Sequence, residues 1–365
     1  MRSTVRCITK MRMCRDRDEA KMKSSILIVS GGTGGHIFPA VVFGRWLEQH
    51  RGRSVSWLSG SRPLEAEIYA SAGVSPYQLS LEGSPLGVRS PGRVLRRSMA
   101  LFSAFGETSR CLKEVRPEVV FLFGGYVSFA PLLLCRLRGI PVVVHEQNAV
   151  AGRVTRLASR LGAVVTTGWK ECVGLKGPYT PVGIPVREPE RLPREEALKR
   201  LGLLLPEGTR IVGVASGSLG SRPLMEKLMG AAEALKGRGN VAFVLLGEAV
   251  PGGGENVHFV GRQWDMNPFY SICDALVCRG GGSTLAEALR WGIPTLAVPW
   301  EGAAEGHQVK NALCFAAEGG GDVWRENGDT PLEKAIIMLL ERPLPVCGNV
   351  AAAPSSQKLA EAAGL

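Results

Sequence analysis

The sequence predicts an α/β protein built from two facing Rossmann-like, doubly wound parallel-sheet domains with a cleft between them. Three observations carry this. Short β-rich apolar runs alternate with helix-period segments along most of the chain, the pattern of parallel strands covered by helices on both faces. The chain has 365 residues, long for one core when domains run to roughly 100–200 residues. A glycine-rich turn also follows a buried strand near the start of each half, at Gly31 to Gly35 and at Gly217 to Gly220.

Taken in order, the strands of the first half are expected at 26–29, 55–58, 119–123, 142–145 and 163–166. Those of the second are expected at 211–215, 241–246, 257–260, 275–277 and 295–298. The proline-rich segment 179–193 has no helical period and reads as the connection, so the domains divide into 25–185 and 186–345. In such folds ligands bind at the carboxyl ends of the strands, which here places them in the cleft between the sheets.

Residues 1–24 hold eight Lys or Arg against three acids and lack the apolar stretch of a signal peptide. They read as a loose basic tail or an upstream start ahead of Met22. No apolar run reaches the ~18 residues of a membrane span. Nine cysteines without zinc-site spacing read as reduced thiols in a cytosol. The net charge of +11 points to nucleic acid, an anionic membrane surface or phosphorylated ligands. With 6% aromatic residues and no RNA-binding motif, nucleic acid is disfavoured.

The first loop, Gly31-Gly32-Thr33-Gly34-Gly35-His36, runs from a strand straight into a helix carrying Phe38, Val41, Val42 and Leu47. Glycines let the backbone approach an anion, and the helix N-terminus offers unpaired N–H groups and a partial positive charge. It is not the dinucleotide fingerprint, because Ile37 stands where the third glycine belongs and no acid follows the second strand. No Gly-Lys-Ser or Gly-Lys-Thr follows either, which excludes the P-loop. The loop at Ser216-Gly217-Ser218-Leu219-Gly220 and the turn Arg279-Gly280-Gly281-Gly282-Ser283-Thr284 repeat the geometry in the second half. Glu287 is expected in the first turn of the helix that follows, as a ribose ligand or an ordinary first-turn glutamate. Two diphosphate loops on facing domains describe a transferase.

These motifs carry a resemblance. Gly31 to His36 with Pro39, Phe123-Gly124-Gly125-Tyr126-Val127-Ser128, and His145-Glu146-Gln147-Asn148 with Ala151-Gly152 are similar to those of the MurG-type N-acetylglucosamine transferases. So are Val182-Gly183-Ile184-Pro185-Val186-Arg187, Gly217-Ser218-Leu219-Gly220, Cys278-Arg279 through Glu287, and His307-Gln308 with Asn311-Ala312. The resemblance spans nearly all of 25–330.

It implies a GT-B fold, with an acceptor-binding N-domain, a UDP-sugar-binding C-domain and a C-terminal segment, 346–365, crossing back to the first. It implies inverting transfer of N-acetylglucosamine from UDP-N-acetylglucosamine to the muramyl 4-hydroxyl of an undecaprenyl-diphosphate-linked muramyl pentapeptide. No metal or other cofactor is implied, and the enzyme would be peripheral on the cytoplasmic leaflet of the cell membrane.

Carried over by position, Gly31, Gly32, Gly124, Gly125 and Tyr126 belong to the acceptor. Thr33, Gly34 and Gly35 line the junction with the donor, and Asn148 bonds the donor sugar. Arg187, Ser218 and the turn Gly282-Ser283-Thr284 face the UDP diphosphate. Glu287 takes ribose, Gln308 the sugar hydroxyls and the backbone near Gln263 the uracil edge. His36 is the general-base candidate, against a structural role for it, with Glu146 and Tyr126 as alternatives.

The sequence departs from the family at the second loop, at Arg262-Gln263-Trp264, and at Gly306, where an acidic residue is frequent. In 91–105, Arg93, Arg96 and Arg97 beside Leu101, Phe102 and their apolar neighbours suit an interfacial segment on anionic lipid, or else a helix burying those side chains in the core. The rival readings are a related enzyme with a diacylglycerol acceptor, a UDP-sugar epimerase, and a non-catalytic UDP-sugar- or membrane-binding protein.

Overall fold

The computed structural model describes residues 25–84, 91–217, 221–237, 240–249, 254–326, 328–342 and 354–365. The first sheet comprises β1 (Ser25–Val29), β2 (Ser54–Ser59), β3 (Tyr77–Gln78), β4 (Val119–Leu122), β5 (Val142–Glu146), β6 (Val164–Thr167) and β7 (Thr180–Pro181), in the order β3-β2-β1-β4-β5-β6-β7. The second comprises β8 (Arg210–Ala215), β9 (Val241–Leu246), β10 (Val257–Val260), β11 (Ala275–Cys278), β12 (Thr295–Ala297) and β13 (Gly321–Val323), in the order β10-β9-β8-β11-β12-β13. Their pairings are parallel.

The continuous apolar runs follow from burial on both faces. Side chains alternate across a strand, so Ile26 and Ile28 of β1 enter one apolar cluster while Leu27 and Val29 enter another. In β8, Ile211 and Ala215 likewise face away from Val212 and Val214.

The helices of the first domain are α1 (Gly34–Arg51), α2 (Pro63–Ser71), α3 (Pro91–Val115), α4 (Phe129–Leu137) and α5 (Arg153–Arg160). Those that follow are α6 (Arg194–Arg200), α7 (Arg222–Ala234), α8 (Asn267–Ile272), α9 (Gly282–Trp291), α10 (His307–Ala317), α11 (Leu332–Leu340) and α12 (Ser355–Ala362). The last of them, α12, packs on the first domain: Leu359 and Ala360 are buried in one cluster with Ile26 and Phe43. Conversely Ala149, Trp169 and Ile184 of the first half are buried in the cluster that holds Leu276 and Leu285. No helix among the described residues is long and apolar enough to cross a membrane.

Three strands were not expected. β3, β7 and β13 have two, two and three residues and sit at the rims of their sheets, too short for an alternating pattern to register. β4 ends at Leu122, one residue early, so Phe123 opens the following loop. The basic tail 1–24 and the start of the C-terminal segment, 346–353, lie outside the described residues.

Candidate active site at the two switch points

In both sheets the strand order reverses between the first and fourth strands, and the loops leaving those strands diverge to open a crevice. In the first domain these loops are Ser30 to Thr33 and Phe123 to Gly125; in the second they begin at Ser216 and Arg279. The predicted loops therefore sit at the two topological switch points.

The first loop rests on a carboxylate that the sequence reading missed. Glu65 of α2 is buried, and its Oε1 accepts from the Gly32 N–H and from the Tyr126 hydroxyl, each at 2.6 Å. The Ser59 hydroxyl donates to Oε2 at 3.2 Å. Burial, then the Glu65 carboxylate, pushes the Tyr126 phenol up, which makes it a donor to Glu65 and a poor base. Arg62 lies 4.6 Å over the Tyr126 ring. Gly125 packs so closely on the Gly31 carbonyl that a Cβ there would collide with it. The Gly32 amide thus points inward to Glu65 and is not offered to an external acceptor. A lone Glu in a helical run carries no signal in sequence.

The loop leads into the first turn of α1. Thr33 precedes it in extended backbone with no side-chain capping bond, so the first amides are left to an external acceptor. Pro39, inside α1, has no N–H to give the carbonyl four residues back, that of Gly35. Ser283, in the first turn of α9 on the other domain, supplies the missing hydrogen bond, its hydroxyl donating to the Gly35 oxygen at 2.8 Å. Two helix N-termini thereby meet head to head. Their partial positive charges repel unless an anion lies between them, the arrangement a diphosphate requires. Gly282 permits the approach, since a Cβ there would strike the Gln147 carbonyl.

His36, also in this first turn, is half-buried with Nδ1 2.7 Å from Oε1 of Gln147. Glu146 is not a free base. Its Oε1 accepts from the backbone and side-chain N–H of Asn148, each at 3.1 Å, and its Oε2 from the Gly152 N–H at 2.9 Å and the Thr155 hydroxyl at 2.6 Å. It anchors the start of α5. Of the three candidates, His36 alone presents a group open to a proton. His145 is fully buried, and burial holds its imidazole down at about 3, so it is a neutral core residue.

Asn311 of α10 is another residue whose role was missed, although its motif was noted. Fully buried, it accepts from the Ala149 N–H at 2.7 Å and donates to the Gly280 carbonyl at 2.9 Å and to Oδ1 of Asn148 at 3.1 Å. One amide thus ties both sides of the cleft and orients Asn148. The exposed pairs Arg156–Glu305 and Arg262–Glu67 also span the domains, with the modest effect of screened charges.

In the second domain, Glu287 lies in the second turn of α9, not the first, because the helix begins at Gly282. The Tyr270 hydroxyl donates to its Oε2 at 2.8 Å. Burial raises the Glu287 carboxyl, opposed by Tyr270 and Arg187. Arg187 donates to the Trp264 carbonyl at 2.7 Å and stacks 5.1 Å from the Phe38 ring centre. Gln263 bonds the Gly261 carbonyl, and Gln308 accepts from the Trp300 N–H at 2.9 Å. Thr284 is partly exposed in the first turn of α9. Arg279, buried at the end of β11, donates to Ser221 at 2.8 Å and pairs with Glu326 at 3.4 Å. Ser218 lies outside the described residues.

Exposure divides the segment 91–105. Leu95, Met99 and Phe102 form an exposed stripe on α3, Phe102 at 84%, beside Arg96 and Arg97. Leu101 packs partly buried against the core instead, because it lies off the stripe's i, i+4, i+7 spacing. The Arg93 side chain lies outside the described residues.

The glycosyltransferase family 28 N-terminal domain matches residues 26–166, and the glycosyltransferase family 28 C-terminal domain matches 211–361. A UDP-N-acetylglucosamine--N-acetylmuramyl-(pentapeptide) pyrophosphoryl-undecaprenol N-acetylglucosamine transferase of Ectopseudomonas mendocina is 33% identical, over 82% of this chain and 84% of its own. The crystal structure of Acinetobacter baumannii MurG superposes with a TM-score of 0.62 at 27% identity, covering 88% of this chain and 92% of its own. The UDP-GlcNAc 2-epimerase of Neisseria meningitidis bound to UDP-GlcNAc reaches the same TM-score, 0.62, at 14% identity, over 93% of this chain and 99% of its own, and so shares the fold alone. With both domains matched in order and the relative aligned across the cleft, the chain belongs to glycosyltransferase family 28, on the MurG-type branch.

Proposed function

We propose that the protein transfers N-acetylglucosamine from UDP-N-acetylglucosamine to the 4-hydroxyl of the muramyl sugar of undecaprenyl-diphosphate-linked muramyl pentapeptide, in peptidoglycan synthesis. The observation that carries it is the head-to-head meeting of α1 and α9 through Ser283 and Gly35, with His36 in the same turn, in a chain whose relatives bear that activity in their names.

The chemistry is a single displacement. As the acceptor O4 bonds to the anomeric carbon from one face, the bond from that carbon to the diphosphate oxygen breaks on the other. The configuration inverts, the O4 proton passes to His36 and UDP leaves with the electron pair. The paired helix N-termini stabilise the charge growing on the diphosphate, in place of a metal ion. Glu287 on α9 takes the ribose hydroxyls and Asn148, oriented by Asn311, the donor sugar. The enzyme works from the cytoplasmic face of the cell membrane, with the Leu95, Met99 and Phe102 stripe in the interface and Arg96 and Arg97 against anionic headgroups.

The test is UDP release from UDP-N-acetylglucosamine in the presence of a chelator, with the muramyl-lipid acceptor or with diacylglycerol. Turnover on the first supports the reading. Turnover on diacylglycerol alone would reassign the acceptor, and dependence on added metal would overturn the cofactor-free mechanism.

A further inference from the structure

The amide of Gln147 can adopt one orientation. Its Nε2 lies 2.9 Å from the His145 carbonyl, and a carbonyl can only accept, so the amide nitrogen must face it. The amide oxygen therefore faces His36, 2.7 Å from Nδ1. That oxygen also only accepts, so the hydrogen between them belongs to the imidazole.

The amide has no freedom to turn. Gln147 is 2% exposed, and its own backbone carbonyl accepts the Trp169 indole N–H at 3.1 Å. On the other side Gly124 makes room for the ring: a Cβ there would lie 3.3 Å from Cε1 and Nδ1 of His36, tighter than ordinary contact.

We infer that Gln147 is the positioning residue that holds His36 as its Nδ1–H tautomer, leaving Nε2 as the ring nitrogen that takes the acceptor proton. This rests on the reading of His36 as the base. A neutral imidazole carries one ring hydrogen, so fixing it on Nδ1 keeps a lone pair on Nε2 at every turnover. When the O4 proton arrives at Nε2, the resulting imidazolium keeps its Nδ1–H on the Gln147 oxygen, whose negative end faces the new charge. Gln147 acts through His36 alone.

The test is a long-range ¹H–¹⁵N correlation on the full chain labelled at its five histidines, with His36 identified by its absence in His36→Asn. The expected native pattern for His36 is Nδ1–H. In Gln147→Met, which keeps the side chain's length but loses the acceptor, His36 moves to the Nε2–H pattern. His145 serves as internal control, because its Nδ1 faces the Thr166 hydroxyl at 3.1 Å and that hydroxyl is donated to the Val144 carbonyl at 3.2 Å. Its own Nδ1–H pattern stays. In the transfer assay Gln147→Met lowers kcat by about tenfold or more, within the ~10²–10⁴ a general base supplies, and leaves the donor KM within about twofold.

An Nε2–H pattern for His36 in the native protein, or an unshifted Nδ1–H pattern in Gln147→Met, would overturn the inference. Unchanged kcat in His36→Ala would remove the base reading beneath it. The two failures are distinguishable, because the first is read from the spectrum and the second from turnover.

Discussion

Replacing Asn311 with leucine, close to it in volume, should open the cleft. The native amide satisfies the Ala149 N–H, the Gly280 carbonyl and Oδ1 of Asn148. Leucine leaves the first two without partners, at about 1–3 kcal/mol each, and the Ala149 share, about 1–3 kcal/mol, weighs against the closed arrangement. Ala149 belongs to the first domain, so separating the domains returns its N–H to water, whereas Gly280 lies in the second domain with Asn311 and its carbonyl loses its partner in either arrangement. The Ala149 part of the penalty therefore falls on closure, and the Gly280 part on the second domain. A shift of about 1.4 kcal/mol is already tenfold in an equilibrium, and the donor KM should rise by about that much while Tm falls modestly. Asn311→Asp refines the argument. Its carboxylate still accepts from Ala149 but faces the Gly280 and Asn148 oxygens, which favours the protonated form. Protonation restores the donor, so the donor KM of this variant should fall as pH is lowered. Steady-state kinetics with a thermal melt decides the matter. A collapsed Tm with native KM in Asn311→Leu, or a pH-independent KM in Asn311→Asp, would refute the reasoning.

The remaining predictions concern separate parts of the molecule. Glu287→Ala should mainly raise the donor KM, and His36→Ala should mainly lower kcat; a reversal of that split in initial-rate kinetics would exchange the two roles. His145 is held from 6.5 down to about 3 by burial. A depressed pKa means its stabilising contribution is complete above the unfolded value and is lost as pH falls from there through about 3, at most about 5 kcal/mol. Urea midpoints of His145→Leu should accordingly depend less on pH across that acid range than those of the native chain, and parallel slopes would contradict this. Met99→Glu with Phe102→Glu should cut cosedimentation with anionic phospholipid vesicles, since burying each apolar side chain is worth about 1.5–3 kcal/mol. Unaltered binding would place the membrane contact elsewhere.

The legible part of this protein is local. A strand buried on both faces must be apolar throughout, and a loop that presents amides to an anion needs small residues before a helix. Both requirements write themselves into consecutive letters, as at Ile26 to His36 and at Ala275 to Glu287. They gave the two domains and the glycine turns. The rim strands β3, β7 and β13 escaped because two or three residues hold no period. The first-turn placement of Glu287 failed because the helix starts earlier than expected, within the glycine turn itself at Gly282.

Contacts between distant positions were decided by the tertiary structure alone. Pro39 announces an unpaired carbonyl at Gly35, since a proline in a helix always frees the oxygen four residues back. That Ser283, 248 residues further on, should take it cannot be read from either segment. Glu65 beneath Gly32, Asn311 between Ala149 and Gly280, and Gln147 against His36 are of the same kind. A buried polar group must find a partner somewhere, but the sequence states only the obligation; the docking of two sheets and their helices settles which residue meets it.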